Sequence, residues 1–389
     1  MPDRIRVLFA IGSLEGGGSE RQVINILRHL DRSQFEPHLY LVRRAGEFLN
    51  EVPDDVSITA FDDVSNPSGM YLPGRIRRAQ IAHFASALAD LQIDVVYDRT
   101  PHMTLIAAPA CQQSGVPNLA TVVSDPAHDL RDNIGRFRWL KYRVLKRAYR
   151  NAHRVIANSE PLAKACRKFY GLNQEQVAVL SNGFDFDQIN QLASQQVELQ
   201  SRTKGTFHVV AAGRLEACKG FDILFDAVND LVNRRNHLNI VVSIAGRGVQ
   251  EEQLKHLAAQ HCLEQVVRFE GFLENPYPLI RSADLFCLTS RYEGMPNVLV
   301  EAMSLGVPVL STDCPEGPRD ILLDGTLGTL VRHLDAQTIA DGIEQAMNPH
   351  PARDARTGQA KESVRSRFGI GPTTRSLEKL LTLAARRNS

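Results

Sequence analysis

The sequence contains no run of apolar residues near the roughly 18 needed to cross a bilayer as a helix. Its first apolar run, Val7 to Ile11, follows Arg4 and Arg6 and is too short for the core of a secretory leader, so it reads as a first strand. An excess of one charge is also missing. Lys and Arg number 45 against 44 Asp and Glu, a net charge of +1 that argues against a general nucleic-acid binder. Cysteine is sparse and scattered, at positions 111, 166, 218, 262, 287 and 314, with no C-x-x-C pair. That pattern fits neither a zinc site nor a disulfide frame, and reads as reduced core residues of a cytoplasmic protein. The expectation is a protein that is soluble in the cytoplasm or lies on a membrane surface.

What is present is globular in character. The 43% hydrophobic and 23% charged content, over 389 residues, suffices for two domains, each with its own core. Short apolar runs alternate with helical patterns throughout. In the first half the strand candidates are Arg6–Ile11, His38–Val42, Val56–Phe61, Asp94–Asp98, Leu119–Val123, Arg154–Ala157 and Val177–Leu180, with helices starting near Ser19, Ile76 and Phe137. In the second half they are Phe207–Ala212, Asn239–Ala245, Val266–Phe269, Asp284–Leu288, Pro308–Thr312 and Gly328–Val331. Two rounds of β-α-β alternation predict two doubly wound parallel-sheet α/β domains, with ligands beyond the carboxyl ends of the strands. The polar stretch Gln188–Gly205 predicts a linker plus a helix, with a boundary near residue 200, so that 1–200 and 201–369 form the two domains.

The densest chemistry lies in Ser290-Arg291-Tyr292-Glu293-Gly294-Met295-Pro296-Asn297-Val298-Leu299-Val300-Glu301. Glu293 to Asn297 is turn chemistry, and proline with asparagine suits a helix start. Val298, Ala302 and Leu305 recur at helical spacing as a buried face, and Gly306 closes the helix before the strand Pro308–Thr312. Asn297 and Glu301 therefore share one face of the first turns, with Glu293 in the loop ahead of them. A helix N-terminus attracts anions and carboxylates hydrogen-bond hydroxyls, a combination that suits the phosphate and polyol of a nucleotide sugar. A solvated helix start with two unrelated carboxylates is the plainer alternative.

These residues resemble the E-x7-E signature of the family 4 retaining glycosyltransferases of the GT-B fold, set in S-x-x-E-G-x-P-x-x-x-x-E-A-x-x-x-G-x-P-V. The resemblance implies two Rossmann-like domains facing a cleft, an N-terminal acceptor domain and a C-terminal nucleotide-sugar donor domain. It also implies that the C-terminal helix, 370–389, packs back on the first domain. Gly213-Arg214-Leu215-Glu216 and Cys218-Lys219-Gly220-Phe221-Asp222 match a family pattern in which Arg214 and Lys219 hold the donor diphosphate. An arginine can fork onto two oxygens while a lysine acts as a point charge. The resemblance further implies Glu293 on the sugar hydroxyls, Glu301 on the ribose, and Gly294, Met295, Pro296 and Asn297 around the phosphate. Gly246, in Gly246-Arg247-Gly248, resembles the family's G-x-G turn, and Leu273 lies in the stretch that flanks the base in relatives. A plain tight turn explains Gly246 equally well.

The first domain is less explicit. Gly16, Gly17 and Gly18, ahead of Ser19-Glu20-Arg21, resemble the family's G-G-A-E-R turn and can converge N–H groups on an anion. A dinucleotide fold is the rival reading, but G-x-G-x-x-G is not met, and the second strand ends in Arg43-Arg44, residues that only an NADP enzyme could use. Where relatives carry a histidine, this chain has Ser124-Asp125-Pro126-Ala127-His128, so Asp125 and His128 are the acceptor-side candidates, with turn capping as the alternative. Asp185-Phe186-Asp187 spells D-x-D but resembles the N-G-V-D junction element and reads as structural; no metal and no cofactor are expected. From Arg131 to Arg154 nine cations face one acid, interleaved with Trp139, Leu140, Val144, Leu145 and Tyr149. A basic helix with an apolar face suits an anionic bilayer, although its apolar residues can equally be core.

The resulting expectation is a retaining, metal-independent transferase. It would move a hexose or N-acetylhexosamine from a UDP-sugar to a hydroxyl of a lipid-linked or growing surface glycan. Thr312-Asp313-Cys314-Pro315-Glu316-Gly317-Pro318-Arg319 resembles a variant found in bacterial surface-polysaccharide enzymes. Location is expected in the cytoplasm or on the inner face of its membrane. A glycoside hydrolase fits poorly, because its carboxylates must face each other across the scissile bond. An epimerase of the same fold or a non-catalytic nucleotide-sugar sensor remains as the alternative.

Overall fold

The computed structural model describes residues 4–64, 74–128, 138–196, 205–314, 317–348 and 350–386. The chain divides into two compact units: Met1–Phe184 with Ile370–Ser389, and Asp185–Gly369.

The first unit is built on seven parallel strands: β1 (Ile5–Ile11), β2 (Phe35–Leu41), β3 (Ser57–Ala60), β4 (Val95–Arg99), β5 (Asn118–Val122), β6 (Arg154–Ala157) and β7 (Val177–Val179). Their order is β3-β2-β1-β4-β5-β6-β7, so the winding reverses between β1 and β4. A parallel sheet is covered on both faces, which is why its strands read as near-continuous apolar runs. Val7, Phe9, Tyr97, Leu119 and Ile156 pack under the helices Gly18–His29 and Ile370–Ala385. Leu8, Ala10 and Val96 face the other way, under helices Arg75–Asp90 and Pro101–Ser114.

The second unit repeats the scheme with β8 (Phe207–Ala212), β9 (Ile240–Ala245), β10 (Val267–Gly271), β11 (Leu285–Leu288), β12 (Val309–Thr312) and β13 (Thr329–Val331). The order β10-β9-β8-β11-β12-β13 is again parallel and reverses between β8 and β11. Every apolar run read as a strand is one, with ends shifted by up to three residues.

The boundary differs from the expected position near 200. The helix Phe186–Ala193 belongs to the second unit. The Asn275 amide donates to Leu192 O at 2.9 Å, and Arg281 donates to Asn190 Oδ1 and Ser194 Oγ at 3.0 and 2.9 Å. Glutamine-rich composition marks exposed chain, whereas the domain is set by what the helix packs on; the 197–204 part of that stretch lies outside the described residues. The helix Ile370–Ala385 returns to the first unit, burying Leu377, Leu381 and Ala384 in its core, with Ile370 N–H donating to Phe184 O at 3.0 Å. Among the described residues no helix is long and apolar enough to cross a membrane.

One buried group gives this unit a pH signature. Asp98, fully buried near the end of β4, accepts from the Thr104 hydroxyl at 2.5 Å and the Asn118 amide at 3.2 Å. Burial outweighs those two bonds and pushes its carboxyl up from 3.8 to about 7. The folded chain therefore holds a proton that the unfolded chain releases, and stability falls as pH rises through the range between those values. Urea denaturation at pH 5 and 7.5 is expected to show roughly 2–3 kcal/mol more loss for the wild type than for Asp98→Asn. Equal slopes for the two proteins would contradict the assignment.

Candidate functional site

The loops after β8 and β11 meet at the point where the second sheet reverses its winding. β8 is followed by the turn 213–216 and then Lys219 and Gly220, which open the helix Phe221–Asn229. Gly220 has φ +64°, and a Cβ there would lie 2.1 Å from Thr289 O, so only glycine allows the two loops this approach. β11 is followed by Thr289-Ser290-Arg291-Tyr292-Glu293-Gly294-Met295-Pro296, then the helix Asn297–Ser304.

Lys219 Nζ donates to Glu293 Oε1 at 2.6 Å, with side-chain exposures of 20% and 9%. The same carboxylate oxygen accepts from Ser290 Oγ at 2.6 Å. Ser290 is held in turn by the Thr312 hydroxyl, which donates to its carbonyl at 2.6 Å. Burial alone would lower the Lys219 ammonium, but the charge of Glu293 and its hydrogen bond more than offset this, and the group is raised. Lys219 is therefore a held cation at neutral pH. Cys314, buried close by, has its thiol pushed up by burial and by the Glu293 charge, so it is a packing residue and not a thiolate.

A second clamp joins the same loops. Arg291 forks onto Asp222 at 2.8 and 2.6 Å, donates to Ala217 O at 2.6 Å, and its N–H reaches Cys218 O at 2.7 Å. The Thr289 hydroxyl donates to Lys219 O at 3.2 Å. Both loops are thus fixed by side chains from each other.

The helix after Pro296 differs from the amphipathic stripe that its spacing suggests. Leu299 to Leu305 are buried without interruption, Glu301 at 8% exposure among them, while Val298 is only half-buried. A short helix sandwiched between its sheet and the helix Pro351–Arg367 has no solvent face. Pro296 caps it without a side-chain acceptor, leaving the positive end of the helix beside Glu293. Gly317 closes over this start: a Cβ there would meet Pro296 Cδ at 2.7 Å and Gly294 O at 2.9 Å. Glu293, Gly294, Met295, Pro296, Asn297, Glu301 and Lys219 therefore lie in one neighbourhood.

Arg214 belongs to the same turn but is mostly exposed, pairing with Glu216 at 3.0 Å. Gly246, with φ +144°, lies against Gly213, where a Cβ would come within 1.9 Å of the carbonyl oxygen; main-chain contact between two loops is the reason for glycine. Leu273 is half-buried beyond β10. In the first unit, Gly17 caps the helix Gly18–His29 and Gly16 N–H donates to Glu47 at 3.1 Å, so one of the expected anion donors already has a carboxylate. Asp125 Oδ1 accepts from the N–H groups of Ala127 and His128 at 2.7 and 3.0 Å, a turn cap. Asp185 caps its helix through Gln188 N–H, and Asp187, largely exposed, pairs with Arg365 at 2.8 Å. Among the described residues no group of three or more His, Cys, Asp and Glu is placed to hold a metal.

Sequence reading missed Ser290, Thr312 and the Arg291–Asp222 clamp. Asp222 stands in the quoted K-G-F-D run and Ser290 in S-R-Y-E, but pairing across 69 residues has no local signal.

Two parallel sheets, each reversing once, make up the architecture of the GT-B glycosyltransferases, and here a cation and a buried glutamate stand at the second reversal point. The family model described as glycosyl transferases group 1 matches residues 195–363, and that described as glycosyltransferase family 4 matches residues 16–188. The chain belongs to glycosyltransferase family 4. It is 25% identical over 363 residues to the N-acetylgalactosamine-N,N'-diacetylbacillosaminyl-diphospho-undecaprenol 4-alpha-N-acetylgalactosaminyltransferase of Campylobacter jejuni, covering 92% of this chain and 94% of that one. It is 27% identical over 233 residues to the lipopolysaccharide core biosynthesis glycosyltransferase LpsE of Rhizobium meliloti, 60% and 65% of the two chains. Among solved structures, Anabaena HepE in complex with UDP-glucose superposes with a TM-score of 0.79 at 22% identity, covering 97% of this chain and all of the other, a likeness of fold.

Proposed function

We propose that this glycosyltransferase moves a hexose or N-acetylhexosamine from a UDP-sugar to a hydroxyl of a lipid-linked or growing surface glycan, with retention at the anomeric carbon. The observation that carries the reading is the Lys219–Glu293 pair at the start of the helix Asn297–Ser304. A diphosphate and a polyol ask for that combination of cation, helix N-terminus and carboxylate. HepE, of the same fold, was solved with UDP-glucose, and the full-length Campylobacter relative is named for transfer onto a diphospho-undecaprenol acceptor.

In this mechanism Lys219, Arg214 and the N–H groups at the helix start take up the charge that grows on the departing diphosphate. Glu301 holds the ribose hydroxyls and Glu293 the sugar hydroxyls. The acceptor oxygen attacks the anomeric carbon from the face that the diphosphate leaves. The bond from that carbon to the phosphate oxygen breaks, and the acceptor's proton passes to the phosphate, giving glycoside and free nucleotide diphosphate. Gly246 and Leu273 are further donor-side candidates in the second unit, Gly16 and Gly17 are candidates in the first, and Asp125 and His128 are the acceptor-side candidates. No metal is assigned a step.

The test is release of free nucleotide from a panel of UDP- and GDP-sugars in EDTA, for wild type and Glu293→Gln. Release from a UDP-sugar, reduced at least 100-fold in the variant, is expected, with the product anomer matching the donor by NMR. Binding without release under any acceptor would make the protein a sensor, and an inverted product would exclude the same-face route.

The reading also places the enzyme on the inner face of an anionic membrane. Leu145 and Tyr149 of the basic helix Arg138–Asn151 are core, so these two apolar residues are accounted for within the fold. Trp139 and Leu140 are not: they are 63% and 48% exposed, and Arg143, Arg147 and Arg150 are exposed on the same outward arc. Vesicles containing phosphatidylglycerol are expected to sediment the protein, and Arg143→Gln/Arg147→Gln/Arg150→Gln to weaken this roughly 100-fold, at about 1 kcal/mol per cation. Equal binding to phosphatidylcholine alone, or none to either, would contradict the contact.

A further inference from the structure

Arg99, the last residue of β4, is a charged side chain with 3% exposure. One terminal nitrogen donates to the Tyr97 hydroxyl at 3.1 Å and the other to Asn182 Oδ1 at 3.0 Å, while Nε is buried without a partner. Among the described residues no carboxylate pairs with it. Asp98 is adjacent in sequence but points to the opposite sheet face, where it is held by Thr104 and Asn118. A buried guanidinium with neutral partners only is a costly arrangement unless a negative charge accompanies it.

Four further orphaned polar atoms belong to the same face of the same unit. Thr121 stands directly beside Arg99 in the β4–β5 register, 1% exposed, with Oγ1 unpartnered. Ile156 is its neighbour on β6, and two residues on, Asn158 has Oδ1 unpartnered while its amide donates to Val123 O at 3.3 Å. The helices that cover this face supply Gln22, whose Oε1 accepts from Gly183 N–H at 2.9 Å and whose Nε2 is unpartnered, and Thr374, whose Oγ1 is unpartnered. Gly183 brings these together, because it follows Asn182 and packs against Ile370 and Thr373. Buried polar atoms of native proteins are nearly always satisfied, so the unpartnered donors among them, on Arg99, Thr121, Gln22 and Thr374, point to a shared occupant.

We infer that Arg99, Thr121, Gln22 and Thr374 form a buried binding site for a small monovalent anion of halide type, closed over by the returning helix Ile370–Ala385. The four offer donors from four separate elements and one positive charge. A monovalent anion balances that charge, whereas a divalent phosphate would leave a buried net negative charge. The site belongs to the first unit, whereas Lys219 and Glu293 belong to the second, and it is no part of the transfer chemistry proposed above. Its role is structural: it ties to the sheet both Asn182, where the chain is about to leave the first unit, and Thr374, where it has just returned.

The experiment uses the full chain. Crystals grown in bromide are expected to show an anomalous peak beside Arg99 Nε, and the melting temperature is expected to rise by a few degrees in chloride over isethionate at equal ionic strength. Arg99→Met should abolish the chloride response. Because that variant can fail to fold, Thr374→Val, which keeps the side-chain shape, should weaken the chloride dependence several-fold. Water in place of bromide beside Arg99, bromide only at other places, or an unchanged chloride response in Thr374→Val would overturn the proposal.

Discussion

The proposed donor site of the second unit centres on one ion pair, Lys219 with Glu293. Two loops from different strands meet there, held also by the Arg291–Asp222 fork, and each carries part of the proposed donor chemistry. The pair joins them at 2.6 Å in a partly dry setting, where an ion pair is screened less than at the surface. A buried pair is weak evidence for stability, since well-packed apolar residues could serve the fold as well. Its position at the carboxyl ends of β8 and β11 points to function, with the Arg291–Asp222 fork and the Ser290–Thr312 relay holding the geometry around it. Preorganised charge of this kind is what stabilises a departing diphosphate without rearrangement at the moment of reaction.

Much of this was legible in the sequence, for physical reasons. Parallel strands are buried on both faces and so spell continuous apolar runs, and every run chosen on that basis is a strand. The helix start at Pro296-Asn297 was legible because proline and asparagine carry their own local geometry. What failed were the features decided by neighbours far along the chain. The glutamine-rich stretch looked like a boundary, yet the helix Phe186–Ala193 is owned by the second unit through Asn275 and Arg281. The helix Asn297–Ser304 was read as one-sided because Val298, Ala302 and Leu305 fit a stripe, whereas packing on two sides buries nearly all of it. Gly246 read equally as a nucleotide contact or a plain turn, and only the fold shows that its missing side chain makes room for Gly213.

The two units differ in how much of their chemistry is local. In the second, the main residues proposed for the donor lie in two short motifs, each contiguous with a turn and a helix. In the first, the notable polar groups, Arg99, Thr121, Gln22 and Thr374, are single residues in otherwise apolar elements, and only the sheet register brings them side by side. Asp125 illustrates the same limit, since a carboxylate near a strand end suits catalysis or capping equally, and here it caps.

The most direct test of the central claim is calorimetric titration of UDP and of uridine into wild type and Lys219→Met. If Lys219 is held by Glu293 in order to receive a diphosphate, UDP should bind the wild type well over tenfold more tightly than uridine, and the variant should lose most of that difference. An unchanged preference for UDP in Lys219→Met would contradict the account, and would leave the buried pair as a device of folding alone.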